Sequence, residues 1–180
     1  MKKRAQILAL FLFSFTIPHV ANSQDAKASV LEVILTTYDV NRTETLVYLR
    51  VFSNGSAEAH PMRNVDFRTM ALKKTQLSQT DLAALSEFLR SAGVQGLEPR
   101  YERSWGNIDF GQTWNITIGE GSNEKSIVLF NFQPFLARSK KKPYPQELEK
   151  LGCLIWDLRT KAIGEPLERD YVNGCRKLGY

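Results

Sequence analysis

Leu46-Val47-Tyr48-Leu49-Arg50-Val51-Phe52-Ser53-Asn54-Gly55-Ser56 is the stretch whose reading decides the fold. Its first seven residues alternate, with Leu46, Tyr48, Arg50 and Phe52 on one side and Val47, Leu49 and Val51 on the other. The second set is wholly apolar, so it is expected to face the core of a sheet. The Asn54-Gly55 pair that follows favours a type I′ hairpin turn. Ala57 to Met62 then returns as a partner strand that ends near Pro61. Upstream, Val30-Leu31-Glu32-Val33-Ile34-Leu35 is β-branched and apolar and reads as a strand, joined through the turn-like residues 39–43. Residues 65–72 read as one further extended piece.

Helical grammar takes over at Ser78. Ser78-Gln79-Thr80-Asp81 fits a capping pattern in which the serine hydroxyl satisfies an orphan backbone N–H. Leu82, Leu85, Phe88, Leu89 and Ala92 fall on one helical face, and Gly93 is expected to supply the left-handed stop. After an irregular charged and aromatic segment, residues 97–111, a strand is expected over 113–118 with Trp114, Ile116 and Ile118 on one face. Residues 120–123 turn the chain, and 126–132 come back as another strand. A proline- and lysine-rich loop, 134–145, leads to a second helix near Gln146. At 100° per residue, Leu148, Leu151, Leu154, Ile155 and Leu158 share one face of it, with Cys153 roughly opposite. The order predicts an α+β domain: an antiparallel, hairpin-connected sheet of about five to six strands, two helices on one face, and a C-terminal tail, residues 160–180.

The amino terminus has the three zones of a cleavable export signal. Lys2, Lys3 and Arg4 are basic, residues 7–17 are almost wholly apolar, and Ala21-Asn22-Ser23 precede Gln24. The apolar run falls short of the roughly 20 residues that span a bilayer. Residues 1–23 are therefore expected to be removed, leaving 24–180 as one domain with a polar leader at 24–29, in the periplasm or outside the cell. The full chain carries 24 Lys+Arg against 19 Asp+Glu, a formal charge of +5. Loss of Lys2, Lys3 and Arg4 leaves 21 against 19, or +2, so the basic balance is a poor reason to propose nucleic acid, which is not expected as a partner. Cys153 and Cys175, in an exported chain, read as one disulfide that straps the tail across the outer side of the second helix, over Trp156. Closing such a loop is worth about 3 kcal/mol in the chain-entropy description. Three Asn-x-Ser/Thr triplets, at Asn41, Asn54 and Asn115, would matter only in a eukaryotic secretory pathway. The Lys-Lys-Arg start is in the bacterial style.

The chain contains no Gly-x-Ser-x-Gly, phosphate-binding loop, His-Glu-x-x-His or dinucleotide fingerprint. Two cysteines and the distant His60 do not make a zinc set. No metal, no cofactor and no catalytic residues are therefore expected, and no stable membrane insertion. The segment Arg100-Tyr101-Glu102-Arg103-Ser104-Trp105 is the leading binding candidate, through Arg100, Tyr101, Arg103 and Trp105, because Arg, Tyr and Trp are enriched at interface hot spots. The bland alternative has Tyr101 and Trp105 folding back on the helix and sheet edge. The basic run 138–142 is a solvated loop by default, or a contact for an anionic envelope surface.

The layout resembles a group of small exported bacterial domains in which a β-meander precedes a Leu-Ser-x-x-acid-Leu-x-x-Leu helix, two strands and a closing helix. Leu77-Ser78-Gln79-Thr80-Asp81-Leu82-Ala83-Ala84-Leu85 and Trp114-Asn115-Ile116-Thr117-Ile118 carry the likeness, which spans about residues 30–158. It is similar in outline to emfourin-type inhibitors of thermolysin-like metalloproteases. The resemblance implies a protein-binding role, carries over no inhibitory residue, and does not include the disulfide-strapped tail. Three functions follow as expectations: a non-catalytic binding domain with a protein or envelope partner, inhibitor-like in one version; a secreted hydrolase that would depend on His60; or an envelope-associated structural protein. The sequence leaves the oligomeric state open.

Overall fold

A computed structural model describes residues 28–61, 71–102, 110–119, 121–132, 144–164 and 169–179. The expected export signal and most of the 65–72 piece lie outside these residues. Strands β1 (Ser29–Asp39), β2 (Thr43–Phe52), β3 (Ser56–Ala59), β4 (Lys73–Gln76), β5 (Arg100–Glu102), β6 (Phe110–Ile118) and β7 (Lys125–Phe130) form one sheet in the order β4-β3-β2-β1-β6-β7-β5. Helices α1 (Gln79–Arg90), α2 (Ala92–Gln95), α3 (Gln146–Ile163) and α4 (Arg169–Lys177) complete the described fold. The α+β expectation holds, but five to six antiparallel strands and two helices is too simple. The sheet has seven strands and is mixed, because β5 runs parallel to its neighbour β7.

The deciding stretch forms the expected strand with a different side-chain assignment. Val33 pairs with Leu49 and Ile34 with Val47, so Tyr48 is an extra residue, a β-bulge. Alternation is reset there, and Tyr48 and Leu49 both point inward. Leu46, Tyr48, Leu49 and Val51 are buried, whereas Val47, expected in the core, is half-exposed on the other face. The bulge is held from two sides. His60 Nδ1 accepts the Val47 N–H at 3.1 Å, and the Arg159 guanidinium donates to the Tyr48 carbonyl while lying 4.1 Å from the centre of the Tyr48 ring. The hairpin turn also differs from type I′. Gly55 has φ +80°, but Asn54 does not have a positive φ, and type I′ needs both. The Gly55 N–H closes the turn on the Phe52 carbonyl at 2.8 Å.

Ser78 caps α1 as expected, its hydroxyl accepting the Asp81 N–H. The stop comes earlier than Gly93. Ser91 ends α1 and its own hydroxyl caps α2, so Gly93 lies inside that short helix with an ordinary φ. A serine can close one helix and open the next because only its backbone serves the first and its side chain serves the second. Ala92, expected on the apolar face, is exposed, and Val94 is the buried residue there.

α3 lies across β2, β3 and β4 on the sheet's inner face, with α2 and α4 against it. Its apolar stripe is buried as expected, but so are Cys153 and Trp156. Eleven of its 18 residues are buried, and the tail, itself helical over α4, packs on it. The Cys153–Cys175 disulfide joins α3 to α4. Trp156 stacks on Phe132, their ring centres 6.3 Å apart, within an aromatic chain that continues through Trp114 to Tyr48.

α1 is tied to α3 by Lys161, which pairs with Asp81 at 2.6 Å and with Asp157 at 2.9 Å. The Lys161 ammonium, helped by the Ser78 hydroxyl, holds the Asp81 carboxyl below the ordinary carboxylate range. A carboxyl depressed in the folded state contributes fully above its unfolded value, about pH 4. That contribution is lost as pH falls through the lower folded-state value. Wild-type protein should therefore lose more of its urea midpoint than Asp81→Asn between about pH 5 and about pH 2. Parallel loss in the two proteins would contradict this pairing.

Candidate functional site: the open face of the sheet

The inner face of the sheet carries Leu31, Val33, Leu35, Trp114, Ile116, Ile118, Ile127 and Leu129, all buried in the core. Successive side chains alternate across a sheet, so the residues between them share the opposite face. Among the described residues, no helix packs there.

Strand register sets those outward residues in rows. One row reads Lys74, Glu58, Arg50, Glu32, Thr117, Ser126. Arg50 lies between Glu32 and Glu58, donating to Glu58 at 2.7 Å, and Lys74 stands 3.6 Å from the other Glu58 oxygen. Partial burial pulls the Arg50 guanidinium down, but its bonds to Glu32 and Glu58 outweigh that and the net shift is upward. This end of the face is therefore locally neutralised. The next row is Val47, Ile34, Asn115, Val128, Arg100, and the one beyond it is Thr45, Thr36, Thr113, Phe130, Glu102.

The second and third rows differ chemically from the first. Val47, Ile34, Val128 and Phe130 are half-buried and apolar, yet none belongs to the core or packs on it. The Arg100 guanidinium lies 4.4 Å above the centre of the Phe130 ring and reaches Glu102 at 3.1 Å. A guanidinium seated over a ring is restrained, so it loses less side-chain entropy when a partner takes its donors.

The structure separates the residues singled out in the sequence. Arg100 sits on the open face, on edge strand β5. Tyr101, one residue on, turns inward: its hydroxyl accepts the Glu98 N–H at 2.8 Å and its ring meets Tyr144 edge-on at 6.3 Å. Arg103 and Trp105 lie outside the described residues, as does the basic run 138–142. His60 is spent on the bulge through Nδ1, and among the described residues no hydroxyl, thiol or carboxylate hydrogen-bonds its ring. Ile34, Val47, Val128 and Phe130 were not identified from sequence. In a strand read as continuously apolar, nothing distinguishes a core side chain from one facing outward.

No group of three or more potential metal ligands occurs among the described residues, and none of their helices is long and apolar enough to cross a membrane. Comparison of the chain with known proteins finds no matching family model and no matching curated protein.

Proposed function

We propose that this chain is a non-catalytic binding domain that works outside the cytoplasm, after loss of residues 1–23, and docks a protein partner on the open face of its sheet. The observation that carries this reading is the apolar stripe of Ile34, Val47, Val128 and Phe130, held away from the core and ended by Arg100 on its aromatic platform. The stripe consists of two apolar pairs, Val47–Ile34 and Val128–Phe130, on either side of Asn115, and apolar groups gathered on one outward face are a recurrent mark of an interaction surface. Arg and aromatic residues are the types that carry binding energy there. The disulfide supports an oxidising compartment.

An inhibitor-like version has its own support at the tip of the β1–β2 hairpin. Val40 is 78% exposed, and its turn is braced by the Asp39 carboxylate accepting the Asn41 N–H at 2.8 Å. A braced turn that presents an apolar side chain suits insertion into a protease pocket, where preorganisation reduces the entropy lost on binding.

One experiment separates the two. A photoreactive benzophenone side chain is placed at Ile34, at Val40, or at the exposed Ala83 on α1, and the protein is irradiated in its native host. The proposal expects a discrete protein adduct from position 34 and none from 83. Adducts from 40 alone would move the reading to the inhibitor-like version, and adducts from 83 alone would overturn both.

A further inference from the structure

We infer that the cleft between α1 and the end of the sheet is a second binding site, separate from the open face, and that it takes a small amphipathic carboxylate. The cleft has a volume of about 560 Å³, within the range of pockets that hold small ligands. Its walls divide by chemistry. Val30, Leu82, Leu89 and Ile118 supply apolar surface, while Ser53, Ser86, Gln95 and Asn123 supply hydroxyl and amide groups. Arg90 is the cationic residue among the described residues of the lining and brings the charge. Its side chain is exposed and has no ion-pair partner among the described residues.

Three features make the cleft preformed. A second register shift in the β1–β2 pairing, between Ser29 and Leu31, places Val30 as a bulge that packs toward the core side and reaches the cleft. The wall formed by α2 is pinned by Lys125, which donates to the carbonyls of Gln95 and Leu97 at 2.9 and 2.7 Å, and by the Gln95 amide donating to the Leu89 carbonyl at 2.7 Å. At the far end Gly119 has φ +94°, and a Cβ there would fall 2.6 Å from the Asn123 carbonyl oxygen. A side chain at 119 would push Asn123 out of the lining.

The charge pattern selects the ligand. Among the described residues no carboxylate lines the cleft to attract a cation, and a fully apolar ligand would make no use of Arg90 or the hydroxyls. An apolar body of eight to ten carbons or so would lie on the Leu82 and Leu89 side, with its carboxylate on Arg90 and hydrogen bonds from the serines. Arg90 is exposed, so its pairing with the carboxylate is screened by water and accounts for about twofold to fivefold in affinity.

The test titrates the full mature protein, ¹⁵N-labelled, with decanoate, decanol and decyltrimethylammonium below their micelle concentrations. Expected are saturable shifts at Val30, Leu82, Ile118 and Gly119 with decanoate, with affinity about twofold to fivefold weaker in Arg90→Gln. Decanol should bind more weakly than decanoate and be indifferent to that substitution. Ser86→Phe, which fills the cleft from an α1 position facing it, should remove decanoate binding while leaving amide shifts elsewhere unchanged. Equal affinity for the cationic amphiphile, unchanged decanoate affinity in Arg90→Gln, or no saturable shifts at those four residues would overturn the assignment.

Discussion

Arg159→Met is expected to lower stability by about 3–5 kcal/mol, more than any substitution on the open face. Arg159 is 5% exposed and sits on α3 directly above the β2 bulge. Its guanidinium donates to the Tyr48 carbonyl and, at 2.7 Å, to the His60 carbonyl, and it covers the Tyr48 ring. Methionine keeps most of the volume and none of the donors. Both carbonyls would then be left in the interior without these bonds, and hydrogen bonds to a charged donor are worth roughly 1.5–3 kcal/mol each. In a domain of this size the loss corresponds to a Tm lower by about 10 °C. Urea denaturation monitored by tryptophan fluorescence checks it. A loss under about 1 kcal/mol would mean that the bulge holds its shape without Arg159.

The same bulge marks where sequence reading failed and why. Alternation was visible from Leu46 to Phe52, so the strand was legible. Period-two logic assumes no inserted residue, and Tyr48 breaks it by bringing two consecutive side chains inward. The signal that could have located the break lies far away in the chain, on Arg159 and His60. β5 was hidden for a similar reason. Arg100-Tyr101-Glu102 has no apolar alternation, and its strand character comes from parallel pairing with β7, some twenty-eight residues away. α4 was read as part of a tail, and Asn173 and Gly174 within it are poor helix formers. The disulfide and the cover of α3 hold it.

Local grammar served well where local chemistry decides. The Ser78 cap, the α3 stripe, the inward faces of β6 and the cysteine pairing all came through. The proposed docking face did not; of the residues singled out in sequence for binding, Arg100 lies on that face. Ile34 sits in a run of apolar residues that any sequence reading assigns to the core, and Val128 and Phe130 sit in another. Only the placement of all the described helices on one side of the sheet shows that these side chains face away from the core.

Open-face docking therefore predicts a large effect from a change that the fold should tolerate. In Ile34→Glu/Phe130→Ala, glutamate puts a charge into the middle of the stripe, and loss of the ring removes the platform beneath Arg100. Burying that charge against a partner without a counter-ion costs several kcal/mol, and a central aromatic anchor contributes about 2 kcal/mol or more. Together they should weaken binding at least about a hundredfold. The substituted side chains do not pack on the core, so the urea midpoint should move little. The decisive measurement is calorimetric titration of the partner captured from position 34 against wild-type and doubly substituted protein. A loss of a hundredfold or more with intact folding is the result expected. Wild-type affinity in the doubly substituted protein would contradict docking on the open face.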